Sequence, residues 1–563
     1  MKKTTACLFA ILSVLLSSNA GAQTIYDAFR FSDNDYYGTA RSTAMGGAFT
    51  ALGGDVGSVG INPAGSAVNN YSQVTLTPNL SFASTGLKYD GGDGVYGSSQ
   101  SSNKTRLTLP NFGFVFYLSS GTSRGLKGIS FGLLGNATAN YTSRMEGGGQ
   151  NSKTSYLGYL AASSDGYSSS TLSNTSYGSG TSWTSMVAYR SGMIATYDDA
   201  NKYYVGATEK LFSDGSIELA GTINQRYGFV STGYKYDYVF NMGFNIDDRL
   251  YLGVNMGLVT MEYDMQSYIR EAAVDTDDFA IEFTGGSTSF DWARFGQKYS
   301  ASGTGIYGKF GVIYLPSPGL RLGAAIQTPT LNFIKEKWQY YGECHFTTSS
   351  YDGSEASSVG EYEYKLISPY RANFGIAYVG RAFVLSADYE LCDYGTMKFM
   401  DWDGHDTSGW EAEEELIKRF FGVQHSLRVG AEVLLPLHGL ALRAGYRLQT
   451  CPELTWQDSE GTVDSSVYED YYYDTENISD SEFNEWVASL HGKSHVNART
   501  QVFSLGVGYS SPGAFFCDLA CRYTFGPNEY TSLYSDYTSG SSSPMVKSRT
   551  KLWDISLTFG WRF

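Results

Sequence analysis

Beyond its first twenty residues this chain has no long hydrophobic run. No later segment approaches the roughly 18 uninterrupted apolar residues of a membrane-spanning helix, so a helix bundle in a membrane is excluded. Cysteine is scarce, six in 563 residues. Cys7 lies in the leader, and Cys344, Cys392, Cys451, Cys517 and Cys521 are too scattered to form a disulfide framework. Cys517 and Cys521 sit four strand residues apart, roughly 13 Å, beyond the about 7 Å a disulfide tolerates. Basic residues are outnumbered, 40 against 56 acidic, for a net charge of −16, which excludes a nucleic-acid partner. Histidine is rare as well. The one close pair, in "HGKSH" at His491 and His495, lacks the glutamate of a zinc-protease motif. No metal, no cofactor and no catalytic constellation is expected, and the chain does not read as an enzyme.

What is present is glycine and aromatic residues, 65 Gly and 45 Tyr, in a chain with little helical periodicity. Lys2 and Lys3 precede an apolar run from Ala6 to Leu16 and a small-residue site ending at Ala22, the pattern of a secretory signal peptide over residues 1–22. Its removal takes two lysines and makes the net charge −18.

The last twelve residues, "LWDISLTFGWRF", alternate strictly. Trp553, Ile555, Leu557, Phe559, Trp561 and Phe563 share one face, with Asp554, Ser556, Thr558 and Arg562 on the other. Alone, this strand fits either a soluble sandwich or a lipid-facing barrel. Fourteen such stretches recur, at 73–83, 106–118, 127–139, 234–246, 249–265, 304–315, 319–329, 371–379, 381–393, 424–434, 439–449, 500–510, 514–526 and 551–563. The gaps decide. Even gaps are short ("SSGTSRGL", Asp247-Asp248, "PSP", "LPLH", "SPG") and odd gaps long (84–105, 140–233, 266–303, 330–370, 394–423, 450–499, 527–550). Short turns on one side and long loops on the other predict an all-β, 14-stranded antiparallel transmembrane β-barrel over residues 73–563, in a bacterial outer membrane. Its last strand pairs with its first, leaving no edge in lipid.

Residues 23–72 do not alternate. "YYGTARSTAMGGAFTALGGDVGSVGINPAG" is rich in small residues and includes Gly46 and Gly47, with Asn62, Pro63 and Ala64 just before the first strand. Through Gly38, Ala40, Arg41, Ala44, Gly47, Ala48, Asp55 and this NPA triplet, and through Ser302 to Thr330, the mature chain resembles the FadL-type family of outer-membrane transporters for long-chain fatty acids and other hydrophobic compounds. The resemblance implies that residues 23–72 form an N-terminal hatch inside the lumen, and that the final aromatic is read by the barrel-assembly machinery. Small residues suit packing in a narrow lumen, and Pro63 fixes a turn. The triplet either shapes the hatch or meets ligand.

By parity, Lys235, Lys309, Arg321, Arg371, Arg428, Arg443, Arg447, Arg522 and Arg562 face inward with Asp237, Asp388, Glu390, Glu432, Asp518 and Asp554, and mutual pairing is their expected state. The 140–233 loop, rich in Ser, Gly and Tyr, reads as flexible. Two acidic loops carry helical patterns. "SGWEAEEELIKRFFG" opens on a capping box, Ser408 and Glu411, and closes on Gly422; "SDSEFNEWVASLHG" offers Ser479 and Glu482. Trp410, Phe420, Phe483, Trp486 and Leu490 there either pack onto neighbouring loops or form a capture surface for an apolar solute. In the family the capture groove lies in loops three and four, whereas here the helical patterns fall in loops five and six. The family's third strand is kinked and opens the wall sideways. In this chain that strand reads "GISFGLLGNATAN", and Gly132, Gly135, Ala137 and Ala139 mark either a thin wall or simple close packing.

The function expected is passive outer-membrane transport of hydrophobic small molecules by a monomer set in outer-membrane lipid. A surface adhesin or structural barrel, and a general diffusion porin, are the alternatives; the non-alternating N-terminal segment argues against the porin.

Overall fold

A computed structural model of the chain describes residues 7–8 and 24–563, apart from 179, 201, 213–215, 284–285, 405–408, 437–438, 457–492, 496–498, 536 and 538–542. Fourteen antiparallel strands close into a barrel. They are β1 Gln73–Asp90, β2 Gln100–Ser119, β3 Leu126–Asn140 continuing as Ser143–Asn151, β4 Ile223–Ile246, β5 Leu250–Ala273, β6 Gly286–Ser317 and β7 Leu320–Gln327 continuing as Leu331–Phe346. The series goes on through β8 Gly360–Ile367 and Arg371–Val379, β9 Phe383–Asp393, β10 Val423–Leu434, β11 Leu440–Thr450, β12 Arg499–Ser510, β13 Phe515–Phe525 and β14 Met545–Arg562. β14 pairs with β1 from Gln73↔Arg562 to Asp90↔Met545, and Ser72 and Phe563 exchange two backbone hydrogen bonds of 3.0 Å. The C-terminal aromatic strand therefore ends as a closing stave.

The exterior carries the expected apolar belt. On β5, Leu252, Val254, Met256 and Leu258 point out, and an upper girdle includes Tyr234, Tyr236 and Tyr238 on β4. The short turns are tight; at the β4–β5 hairpin Asp247 and Asp248 both adopt φ of 55°, the left-handed pair that a two-residue turn of matching twist demands.

The strands differ from expectation at their upper ends. Residues assigned to long loops, among them 266–273, 286–303, 331–346 and 360–367, continue the ladder. The reason is an inversion of polarity. Above Leu258 the outward side chains of β5 become Thr260, Glu262, Asp264 and Gln266, while the inward ones become Met261, Tyr263, Met265 and Ile269. Parity is unchanged; only the solvent outside has switched from lipid to water. The 140–233 loop is likewise built rather than loose. It holds α3 Tyr156–Ala162, α4 Ser169–Leu172 and α5 Trp183–Arg190, each capped by a serine (Ser155, Ser168, Ser182). Leu157, Leu160, Met186 and Val187 pack with the inner faces of β5–β8 into one apolar core, so this loop is a lid over the upper mouth.

α6 Glu411–Phe420 forms in its acidic loop, but its N-cap is Trp410, which makes no capping bond. The box assigned to Ser408 and Glu411 is not formed on Glu411, and Ser408 lies outside the described residues. The helix ends at an extended Phe421 whose N–H reaches Ile417 O, not on Gly422.

Candidate functional site

Residues 24–72 run through the barrel. α1 Ile25–Ser32, held by a Thr24–Asp27 capping box, sits in the upper apolar chamber with Ile25, Ala28 and Phe31 in its core. Phe31 meets the rings of Tyr141 and Tyr263 edge-on at 6.4 and 6.2 Å. Below it the chain turns through α2 Ala40–Ala44 and two 3-10 turns, Gly57–Gly60 and Pro63–Ala67.

A belt of wall glycines makes this fit possible. Gly253 of β5, Gly311 of β6, Gly323 of β7, Gly375 of β8, Gly430 of β10 and Gly445 of β11 each lack the Cβ that would collide with Pro63, Asn62, Thr50, Ala51, Met45 and Gly46 respectively. Backbone thus lies directly on backbone. Asn62 serves as the cap of its 3-10 turn, accepting from Ala64 N at 3.1 Å, and its amide donates to Thr50 O at 2.6 Å and to Val312 O of the wall at 3.1 Å. Pro63 occupies the first position of that turn, where an N–H would go unused. The triplet's bonds are thus structural. Gly46 and Gly47 take φ of 66° and 76°, and Gly46 lies against the Tyr446 backbone.

All the lumen charges read from parity face inward, the upper ones deeply buried and Arg321 and Arg562 half-buried at the lower mouth. Their pairing is only partly mutual. Arg443 joins Glu432 and Asp518 at 2.5 and 2.6 Å, and Arg371 and Arg428 share Glu390 at 3.1 and 2.7 Å. Several of the others dock the N-terminal segment, while Asp237 and Asp554 bond to wall residues. Arg447 (2.6 Å) and Arg522 both pair with Asp35, and Arg41 makes a bidentate pair with Glu432 at 3.0 Å. Lys235 donates to Phe31 O at 2.6 Å, and Lys309 to Gly60 O at 2.8 Å. The expectation of purely mutual pairing is corrected accordingly: carbonyls of an occupied lumen supply acceptors that no strand pattern announces. Beneath the segment lies a vestibule of about 380 Å³ lined by Arg41, Asp55, Tyr71, Arg321 and Arg562.

The wall is incomplete between β2 and β3. Their ladder runs from Ser119↔Gly128 to Asn111↔Asn136, and no pairing continues above it among the described residues. Pro110, one residue before the break, has no N–H for either neighbour, and a bulge in the β1–β2 register falls between Thr77 and Asn79, beside Pro78. On β3 the register with β4 shifts at Thr138, so Ala137 opposes Tyr236 and Ala139 opposes Lys235. Gly135 and Ala137 therefore face out, whereas Ala139 and also Gly132, opposite Asn241, turn inward, so the four small residues do not share one face. The N-terminal segment fills the break: Asp35 N donates to Thr138 O at 2.7 Å and Tyr37 N to Ala137 O at 3.1 Å. Higher up, side chains of β2 bridge the slot. Arg106 reaches Thr142 Oγ1 and Gly233 O, both at 2.8 Å, and Lys104 reaches Ser231 O at 3.1 Å.

The lid is anchored at Glu271 of β5, whose buried carboxylate accepts from Ser155 Oγ, Tyr156 N and Gln225 Nε2, each at 2.6 Å. Burial raises its pKa. Burial likewise pushes Glu209, which accepts from Gly206 N, up to about 7. Trp410 and Phe420 do not present an open surface; each is 5 % exposed, and Trp410 stacks on Phe399 at 5.0 Å. Phe483, Trp486 and Leu490 lie outside the described residues. Exposed apolar side chains cluster instead on the lid's two hairpins, at Tyr197, Tyr203, Leu211 and Phe212. Sequence reading passed over them because short hairpins in a Ser/Gly-rich stretch lack a long alternating pattern.

No family model and no curated relative matches the chain. Among solved structures it is similar to a FadL homologue of Pseudomonas aeruginosa, at 12% identity over 94% of this chain and 98% of that one, with a TM-score of 0.47. The toluene transporter TodX of P. putida follows at 13% over 94% and 99%, TM-score 0.45, and the toluene transporter TbuX of Ralstonia pickettii at 12% over 95% and 100%, TM-score 0.43.

Proposed function

We propose that this barrel carries hydrophobic small molecules passively across the outer membrane, and that they leave sideways through the β2–β3 slot. One observation carries the reading: the ladder break that opens the wall adjoins the inner face of an apolar chamber, while the lumen below is polar and filled. In this route a solute lands on the lid hairpins, enters the chamber as the lid and α1 yield, and passes the slot as residues 35–37 detach. Residues 24–72 act as a hatch that closes the lumen to water and ions. A general diffusion porin has no use for a filled lumen.

Uptake of a labelled long-chain fatty acid and of toluene by cells with and without the protein tests the reading. Filling the outer face of β3 with Gly135→Trp or Ala137→Phe should slow uptake several-fold at unchanged surface expression. Normal uptake in both variants removes lateral exit. No uptake of either compound by the parent protein removes hydrophobic transport and favours an adhesin.

A further inference from the structure

Lys104 and Arg106 stand out in a chain of net charge −16. They occupy the free edge of β2 beside the slot, alternate residues on the face that looks into the break. Their neighbours Arg144 and Arg226 are already served, both by Glu146, at 3.3 and 2.8 Å. Among the described residues neither Lys104 nor Arg106 has such a partner. Lys104 spends one of its three donors on Ser231 O, and Arg106 one nitrogen on Thr142 Oγ1 and Gly233 O. Both are half-buried, and their remaining donors have no partner among the hydrogen bonds of the described residues.

We propose that Lys104 and Arg106 bind the anionic headgroup of an amphiphile passing the slot, so that the channel favours long-chain acids over neutral hydrocarbons. This rests on the lateral route proposed above. The geometry suits such a ligand: its carboxylate meets two cations at the water-side end of the slot, where the outer faces of the strands have turned polar. Its alkyl chain meanwhile passes the edge bordered outside by Leu107, 74% exposed, and Leu109. The carboxylate takes the place of carbonyl acceptors that are neutral, and a charge-assisted pair is stronger than those bonds. A neutral hydrocarbon gains nothing at either residue.

The test measures uptake of oleate and of its methyl ester, at a pH where the acid is ionised, in cells expressing the parent protein, Lys104→Gln, Lys104→Gln/Arg106→Gln and Lys104→Arg. The expected result is a fall of roughly tenfold in the acid-to-ester uptake ratio for the double variant, the size of one lost charge-assisted hydrogen bond. Lys104→Gln alone, which gives up a single bond to a carbonyl and should fold as the parent does, should show a smaller fall, and Lys104→Arg should keep the parent ratio. If acid and ester change together, in either direction, the two residues are merely latches of the slot and the proposal is overturned. An unchanged ratio overturns it too, as does an effect on a bound outer-leaflet phosphate lipid without any effect on the ratio. Failure of the parent protein to take up either compound would instead defeat the transport reading itself.

Discussion

Asp35 is the most consequential single carboxylate in the docking of the N-terminal segment, and Asp35→Asn should loosen that segment without opening the barrel. Its two oxygens serve Arg447 and Arg522, whose side chains are 7% and 4% exposed, and neither arginine forms another ion pair among the described residues. Asparagine keeps the shape but leaves two buried guanidinium groups without their counter-charge. Breaking a buried pair from one side costs about 3–5 kcal/mol. Asp35 keeps 27% of its side chain exposed, so the lower end applies, about 3 kcal/mol. That corresponds to a roughly hundredfold rise in the detached population.

The readout lies in the same residue. The amides of residue 35 and Tyr37 are bonded to Thr138 O and Ala137 O, so hydrogen exchange reports their detachment directly. Both should lose about two decades of protection, while amides of the closing β1–β14 ladder stay as slow as in the parent. Conductance in planar bilayers should rise in parallel. Adding Arg522→Gln should recover part of the loss, because one stranded charge is then gone. Unchanged protection at both amides, in a barrel that still closes, would refute the idea that this ion-pair pair holds the hatch.

The lid should respond to pH through Glu209. Its folded pKa of about 7 lies above that of an exposed glutamate, so the docked lid binds the extra proton; docking is strongest at acid pH and weakens as pH rises through 7, by at most roughly 3 kcal/mol. Protection of amides 156–162, relative to intrinsic exchange at each pH, should be greater at pH 5 than at pH 8, and Glu209→Gln should flatten the difference; an equal slope in the variant would place the effect elsewhere. At the glycine belt, Gly253→Val puts a side chain where Pro63 lies, and overpacking of this kind costs about 1–3 kcal/mol. The variant should raise conductance while Gly257→Ala, on the same inward face but meeting only the Tyr307 ring, affects it less; equal effects would remove the belt's special role.

The barrel was legible because lipid writes a strong pattern: in every stave the outer face is apolar, and loop lengths sort by side. The same rule hid the upper strands. Met261, Tyr263, Met265 and Ile269 alternate as cleanly as Leu252 to Leu258, but one residue out of phase with them, and a search for greasy outward faces stops at the change. Reading parity straight through Val259 would have extended β5 to Ala273. The contacts of the N-terminal segment were legible only in kind. Inward charges followed from parity, yet Lys235 and Lys309 end on carbonyls of residues more than 200 positions away, which no local pattern encodes. The slot did leave a signal. With only 12 prolines in the chain, Pro78 and Pro110 fall in adjacent strands and at one level, where the ladder has to fail.

In the proposed transport a long apolar chain leaves the upper chamber by one of two exits, and their costs differ in kind. Going down means crossing a lumen of buried charges and displacing a segment seated backbone-to-backbone on the glycine belt. Each methylene then leaves an apolar environment at about 0.8 kcal/mol, or roughly 8 kcal/mol for ten of them, before any ion pair is broken. Going sideways means releasing two backbone hydrogen bonds, from residues 35 and 37, the Asp35 pairs to Arg447 and Arg522, and whichever of the Lys104 and Arg106 bridges obstructs the passage. The bonds cost about 0.5–1.5 kcal/mol net apiece and the Asp35 pairs about 3 kcal/mol, a fixed cost rather than one that grows with chain length, and the methylenes pass from an aromatic chamber to lipid without meeting water. The released groups are not lost either, since strand edges and cations at the interface can turn to water or to a headgroup. In the proposed transport the axial exit thus grows costlier with every methylene, while the cost of the lateral one does not.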